Sequence, residues 1–162
     1  MRKETTCFFT GHRRIANNRL ESIKYELEKN IETLIEEYGV DTFISGAALG
    51  FDTIAAESVI KLRDKYPHIR LVLYLRCYGQ SVKWDDMAKF RYRMLLSKAD
   101  EYRYITESNY TDGCMQIRNM SMIRDSSFCI AFCVLQRSGT GLTLRHAEAL
   151  GLDIRNIADE IY

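Results

Sequence analysis

A run of small residues, Ser45-Gly46-Ala47-Ala48-Leu49-Gly50, sits between two segments of different period. Before it, Val40-Asp41-Thr42-Phe43-Ile44 reads as a short apolar strand. After it, Phe51-Asp52-Thr53-Ile54-Ala55-Ala56-Glu57 leads into a helix from about Asp52 to Tyr66, closed by Pro67. A strand, a small-residue loop and a helix N-terminus make either a tight turn or an anion site. Glycine lets a ligand approach the backbone, and first-turn amides have no intrahelical acceptor. Both readings are open at this point.

The same alternation recurs along the chain. Thr6-Cys7-Phe8-Phe9-Thr10 reads as a first strand ending in Gly11-His12-Arg13-Arg14. Ile15 to Tyr38 is helical, with Leu20, Ile23, Leu27, Ile31, Leu34 and Ile35 spaced by three and four, an N-cap at Asn17 or Asn18, and Gly39 as the stop. Ile69–Leu75 is a third strand. Trp84 to Lys98 is a helix with Met87, Phe90, Met94 and Leu95 inward, and Glu101 to Ile105 a short strand. Ser108–Gly113 has turn chemistry, and Cys114–Asp125 is a helix with Met115, Ile117, Met120 and Ile123 apolar. Phe128 to Leu135 is an unbroken apolar run, as suits a parallel strand covered on both faces. Leu142–Leu150 is a helix ended by Gly151, and Asp153–Ile157 a last strand. Strands alternating with helices predict βαβ units in an α/β fold: a doubly wound, mostly parallel sheet with helices on both faces. With 162 residues, one domain is expected.

The net charge of +1 argues against a strong nucleic-acid or membrane binder, which usually carries a basic excess. The five cysteines are scattered, three of them within apolar runs, and neither they nor His12 and His146 form a metal-ligand spacing. Reduced thiols in the cytoplasm are expected, with no metal and no bound cofactor. The short apolar run after Met1-Arg2-Lys3-Glu4 is too brief for a signal peptide, and no stretch approaches the roughly 20 apolar residues of a membrane span.

In an open parallel sheet the strand C-termini share one edge, where ligands bind. Three unusual exit loops should therefore converge: Thr10-Gly11-His12-Arg13, Ser45 to Gly50, and Ser138-Gly139-Thr140-Gly141. Arg13 or Arg14 suits a phosphate or carboxylate; His12 either contacts a ligand or caps its loop. Asp52 either caps its helix or accepts hydrogen bonds from hydroxyls or a base edge, since it repels phosphate. Ser138 to Gly141 can cradle a phosphate but has neither the GxGxxG nor the GK[ST] spacing. Arg118, Asn119, Glu57 and Glu148 read, by pattern alone, as ordinary helix residues.

These motifs, in this order, resemble the SLOG superfamily, and within it the small single-domain YpsA/YoqJ type: Thr10-Gly11-His12-Arg13, then Ser45 to Asp52 with Ala55-Ala56-Glu57, then Arg118-Asn119, then Ser138-Gly139-Thr140. The resemblance covers nearly the whole chain. It implies a Rossmann-like sheet that binds a nucleotide or nucleotide-derived ligand at the loop edge. It also implies that Gly11, His12, Arg13, Ser45, Gly46, Ala47, Gly50, Asp52, Arg118, Asn119, Ser138, Gly139 and Thr140 form that site. The LOG phosphoribohydrolases of the superfamily carry a PGGxGTxxE loop whose Glu serves catalysis. Here the matching position is Thr143, so hydrolysis would need Asp52, Glu57 or Glu148 as acid or base. The DNA-processing DprA proteins are similar in the Ser45 to Asp52 loop and in the Arg118-Asn119 pair.

The expected function is thus sensing or sequestering of a nucleotide-derived ligand. The alternatives are hydrolysis of nucleoside monophosphates and DprA-like single-strand binding, for which Phe90-Arg91-Tyr92-Arg93 and Tyr102-Arg103-Tyr104 are the suggestive segments. The Tyr102 to Tyr110 segment and the helix around Trp84 suit a homodimer or higher assembly.

Overall fold

The computed structural model describes residues 1–106 and 113–162. The expected turn at 108–113 and the last part of the tyrosine-rich segment fall almost entirely outside the described residues. The observed order is β1 (Thr6–Gly11), α1 (Leu20–Tyr38), β2 (Thr42–Ser45), α2 (Phe51–Leu62), β3 (Arg70–Leu75), α3 (Asp86–Lys98), β4 (Glu101–Tyr104), α4 (Cys114–Arg124), β5 (Phe128–Phe132), α5 (Gly139–Ala149), β6 (Asp153–Asn156) and α6 (Ala158–Ile161).

All neighbouring strands pair in parallel, in the order β4-β3-β2-β1-β5-β6. Phe8 sits beside Ile44 on one side and Cys129 on the other, which fixes the register at the centre. Side chains alternate across the sheet as the strand period demands. Cys7, Phe9, Phe43, Leu71, Leu73, Ile130 and Phe132 meet α1, α2 and α3; Phe8, Ile44, Val72, Tyr74, Cys129 and Ala131 meet α4 and α5. The core of α1 is Ile23, Leu27, Ile31, Leu34 and Ile35, and Gly39 ends the helix with φ 68° while its amide, with that of Val40, reaches Leu34 O.

Several local expectations change, among them the start of α5, which is Gly139 rather than Leu142, and the end of α2, which is Leu62 rather than Tyr66. Residues Asn17–Arg19 form a 3-10 turn, so α1 starts at Leu20 and neither asparagine caps it. On α3 the buried residues are Tyr92 and Leu95, while Met87, Phe90 and Met94 are 68%, 52% and 37% exposed. That helix carries two apolar stripes, and only the one facing α2 and the sheet is covered. On α4, Met122 and Ile123 face the sheet and Ile117 is exposed. Finally, β5 stops at Phe132, although the apolar run continues to Leu135. There the backbone leaves the ladder for side-chain acceptors: Cys133 N–H donates to Asn156 Oδ1, and the Val134 and Leu135 amides donate to His12 Nε2.

Candidate functional site

Strands β1 and β5 are neighbours, yet the chain leaves them toward opposite faces, through α1 on one side and α5 on the other. Their exit loops therefore part at the C-terminal edge and leave a crevice, the topological switch point of a doubly wound sheet. A cleft of about 620 Å³ opens there. Residues 10–14 form one wall, Val134, Leu135 and Ser138–Thr140 another, and Met115, Arg118 and Asn119 of α4 a third. Ala48 and Asp52 reach it from the β2–α2 connection, and Phe132 and Tyr162 add an aromatic side.

His12 is the clasp between the two exit loops. Its amide donates to Phe132 O (3.3 Å) and its carbonyl accepts from Phe51 N–H (3.1 Å). Its ring Nε2 accepts from Val134 N–H (2.9 Å) and Leu135 N–H (3.2 Å). An imidazole that accepts at Nε2 is neutral with its proton on Nδ1, an assignment that rests on this network. Partial burial pushes the His12 pKa below its usual value, which favours the same state. Gly11 beside it is a glycine by necessity, because a Cβ there would run into the ring of Phe51.

The N-terminus of α5 faces the cleft. Ser138 is its cap: the Oγ accepts from Gly141 N–H (3.1 Å) and donates to Leu135 O (2.6 Å). The first-turn amides of Gly139 and Thr140 have no acceptor within the helix, and both residues line the cleft. This end of the helix attracts anions.

Asp52 and Arg118 are both buried, at 6% and 4% exposure, and both line the cleft. Gly46 lies between them; a Cβ there would collide with Arg118 Nη1 and crowd Asp52 Oδ2. Arg118 Nη1 donates to Gly46 O (3.1 Å) and Nε to Asn119 Oδ1 (2.9 Å). Asn119 in turn donates from Nδ2 to Thr143 Oγ1 (3.1 Å), whose hydroxyl donates to Gly139 O (3.0 Å). The Arg118–Asn119 pair thus ties the β2–α2 loop to the start of α5. Burial lifts the Asp52 carboxyl to about 6, against the opposing pull of Arg118, the Ala48 amide and Arg13. Burial likewise lowers the Arg118 pKa, with Asp52 working the other way.

The Ser45–Gly50 loop itself is turned inward. Ser45 and Ala47 are wholly buried. Ala47 N–H donates to Ser45 Oγ (3.1 Å), the Ala48 amide to the Asp52 carboxylate, and Phe51 N–H to His12 O. Gln80 Nε2 donates to the carbonyls of Gly46 and Ala47 (both 3.3 Å). Gly50 combines φ 79° with a close approach to the Arg13 carbonyl. Ser45, Gly46, Ala47 and Gly50 therefore hold the cleft's frame rather than its lining, and the first amide of α2, Phe51 N–H, is taken up by His12 O. The helix begins at Phe51 with Gly50 as cap, so Asp52 lies in the first turn rather than at the cap.

The structure brings Gly11, His12, Arg13, Asp52, Arg118, Asn119, Ser138, Gly139 and Thr140 to one cleft. It separates two of the three carboxylates considered as acid or base. Glu57 pairs with Arg91 (2.5 Å) on the outer side of α2, and Glu148 is exposed at the far end of α5. Asp52 alone of the three lines the cleft. Phe132, Val134, Leu135, Met115 and Tyr162 join the lining without any motif to announce them. Among the described residues, no group of three His, Cys, Asp or Glu side chains is placed to hold a metal ion. No helix among them is long and apolar enough to cross a membrane.

Known proteins share this architecture. The DNA processing protein A of Helicobacter pylori, which has a single-stranded DNA binding mode, superposes with a TM-score of 0.65 at 16% identity, over 98% of this chain and 71% of that one. DprA of Streptococcus pneumoniae gives 0.64 at 15% identity, over 94% of this chain and 50% of that one. At the sequence level, the SPbeta prophage-derived protein YoqJ of Bacillus subtilis is 31% identical over 137 residues, covering 78% of this chain and 80% of YoqJ. A UPF0398 protein of Halalkalibacterium halodurans is 38% identical over 96 residues, 59% of this chain and 50% of that protein. The chain spans about half the length of the UPF0398 relatives from Halalkalibacterium halodurans and Bacillus pumilus. The YpsA family model, described as the YspA SLOG family, matches residues 7–141, and the chain belongs to that family.

Proposed function

We propose that the switch-point cleft binds a nucleotide or nucleotide-derived ligand, and that the protein senses or sequesters it. One observation carries the reading: the anion-attracting end of α5, Arg13 and Arg14 from the β1 exit loop and the Asp52 carboxyl from α2 all line the same cleft. A phosphate fits the amides of Gly139 and Thr140 and the arginines. Asp52 and the Nδ1–H of His12 suit the hydroxyls or base edge of the same molecule, and Phe132 and Leu135 supply apolar surface for its rings. A long polyanion is the poorer fit, because the net charge is +1 and phosphate tracking needs many cations.

A thermal-shift series with nucleoside mono-, di- and triphosphates tests the reading. A ligand at 100 times its Kd stabilises the native state by about 2.7 kcal/mol, a readily measured shift in Tm. No shift with any nucleotide would sink the proposal.

The buried Asp52 carboxyl, lifted to about 6, favours a second reading. A carboxyl titrating near neutral pH inside a cleft is equipped for general acid–base work on an N-glycosidic bond. Release of free base from nucleoside monophosphates, abolished by Asp52→Asn, would establish it. Nucleotide binding without base release leaves the sensing reading in place.

A further inference from the structure

Beside the switch-point cleft lies a second compartment of the same size, about 620 Å³, and Arg13 and Met115 line both. Its outer wall is the β3–α3 connection. Successive turns hold that wall, with Val82 N–H on Gly79 O (3.1 Å) and Trp84 N–H on Ser81 O (3.0 Å). Two aromatic rings face this space, and neighbours fix the tilt of each. Trp84 stands edge-on to Tyr92 (5.4 Å between centroids), and Tyr78 edge-on to Tyr104 (4.6 Å). Arg13, Arg76 and Lys83 line it together with these rings. Gln80, buried in its lining, ties the compartment to the β2–α2 loop: Nε2 donates to the Gly46 and Ala47 carbonyls, and Oε1 accepts from Arg76 N–H (3.0 Å).

Cations beside aromatic faces recognise a planar base attached to an anionic group. Building on the nucleotide reading of the first cleft, we infer that the two compartments are one extended site for a dinucleotide-type ligand. One nucleoside lies in the switch-point cleft. The phosphate bridge passes Arg13, and the second base lies against Trp84 and Tyr78 with Lys83 near its phosphate.

Isothermal titration calorimetry with adenosine 5′-monophosphate and P1,P2-di(adenosine-5′) diphosphate, repeated with the guanosine pair, tests this. Wild-type protein should bind one dinucleoside diphosphate at least about tenfold more tightly than its mononucleotide. Tyr78→Ala and Lys83→Glu, both at exposed loop positions, should erase that gain and leave mononucleotide affinity within about twofold. Equal affinity for the two ligands, or a gain that survives both variants, overturns the extended site while leaving the single-cleft reading intact. Absence of binding by all four probes overturns both.

Discussion

Arg118 and Asp52 approach each other over the missing side chain of Gly46, both buried and both open to the cleft. Neither is placed by its own loop alone. Arg118 comes from α4 and Asp52 from α2, and Arg118 is fixed by the Gly46 carbonyl and Asn119. The pair therefore reports whether three separate elements are correctly assembled.

Gly46→Ala tests that geometry. The added methyl must displace the Arg118 guanidinium, which costs its bond to Gly46 O and leaves a buried charge with fewer partners. A loss of about 1–3 kcal/mol is expected by chemical denaturation, together with loss of any nucleotide-induced rise in Tm. A variant as stable and as responsive as wild type would show that Arg118 relocates freely.

The raised Asp52 pKa has a defined consequence for stability. The native state holds the Asp52 proton up to about pH 6, whereas the unfolded chain releases it near 3.8. Between these limits the native state binds more protons, so this group's contribution to stability is full below about 3.8 and falls as pH rises to about 6. The total change is on the order of 3 kcal/mol. Asp52→Asn should remove that downward slope between pH 4 and 6 in urea unfolding experiments. Parallel pH profiles for the two proteins would mean that Asp52 titrates normally.

His12 should behave in the opposite sense. Its folded pKa is lowered, so the unfolded chain takes up the proton first. Its contribution is complete above about 6.5 and is lost as pH falls through the folded value. Protonation of Nε2 removes the acceptor for Val134 and Leu135. Hydrogen exchange corrected for intrinsic rates should show those two amides losing protection on acidification, and His12→Ala should expose them at every pH. Protection that is independent of pH would contradict the clasp.

The connection of these loops sets the limit of what could be read from residues alone. The convergence of Gly11-His12-Arg13 with Ser138-Gly139-Thr140 follows from alternating strands and helices, because parallel strands must end on one edge. The arrest of β5 at Phe132 does not follow, since its cause is an imidazole 122 positions away in sequence. The inward turn of the Ser45–Gly50 loop was likewise hidden: small residues suit a ligand's approach and a guanidinium's approach equally, and here Arg118 takes the space. On α3, Met87, Phe90 and Met94 fit helical spacing as well as Tyr92 and Leu95 do, and only the position of α2 decides between the stripes.

Two carboxylates should be dispensable. The Glu57–Arg91 pair is about 40% exposed on both sides, so Glu57→Gln should change stability by about 0–1 kcal/mol. Glu148→Gln, on an exposed helix face, should behave like wild type in Tm and in nucleotide binding. Loss of binding or of base-releasing activity in either variant would move the chemistry away from the switch point.

Nucleotide binding at the switch point is tested most directly by a two-dimensional 15N–1H NMR titration of the protein with a nucleoside monophosphate. The largest shifts are expected at the backbone amides of Gly139 and Thr140, with smaller ones at His12, Asp52 and Arg118. Shifts confined to the outer face of α3, or no response at Gly139 and Thr140 at saturating nucleotide, would contradict it.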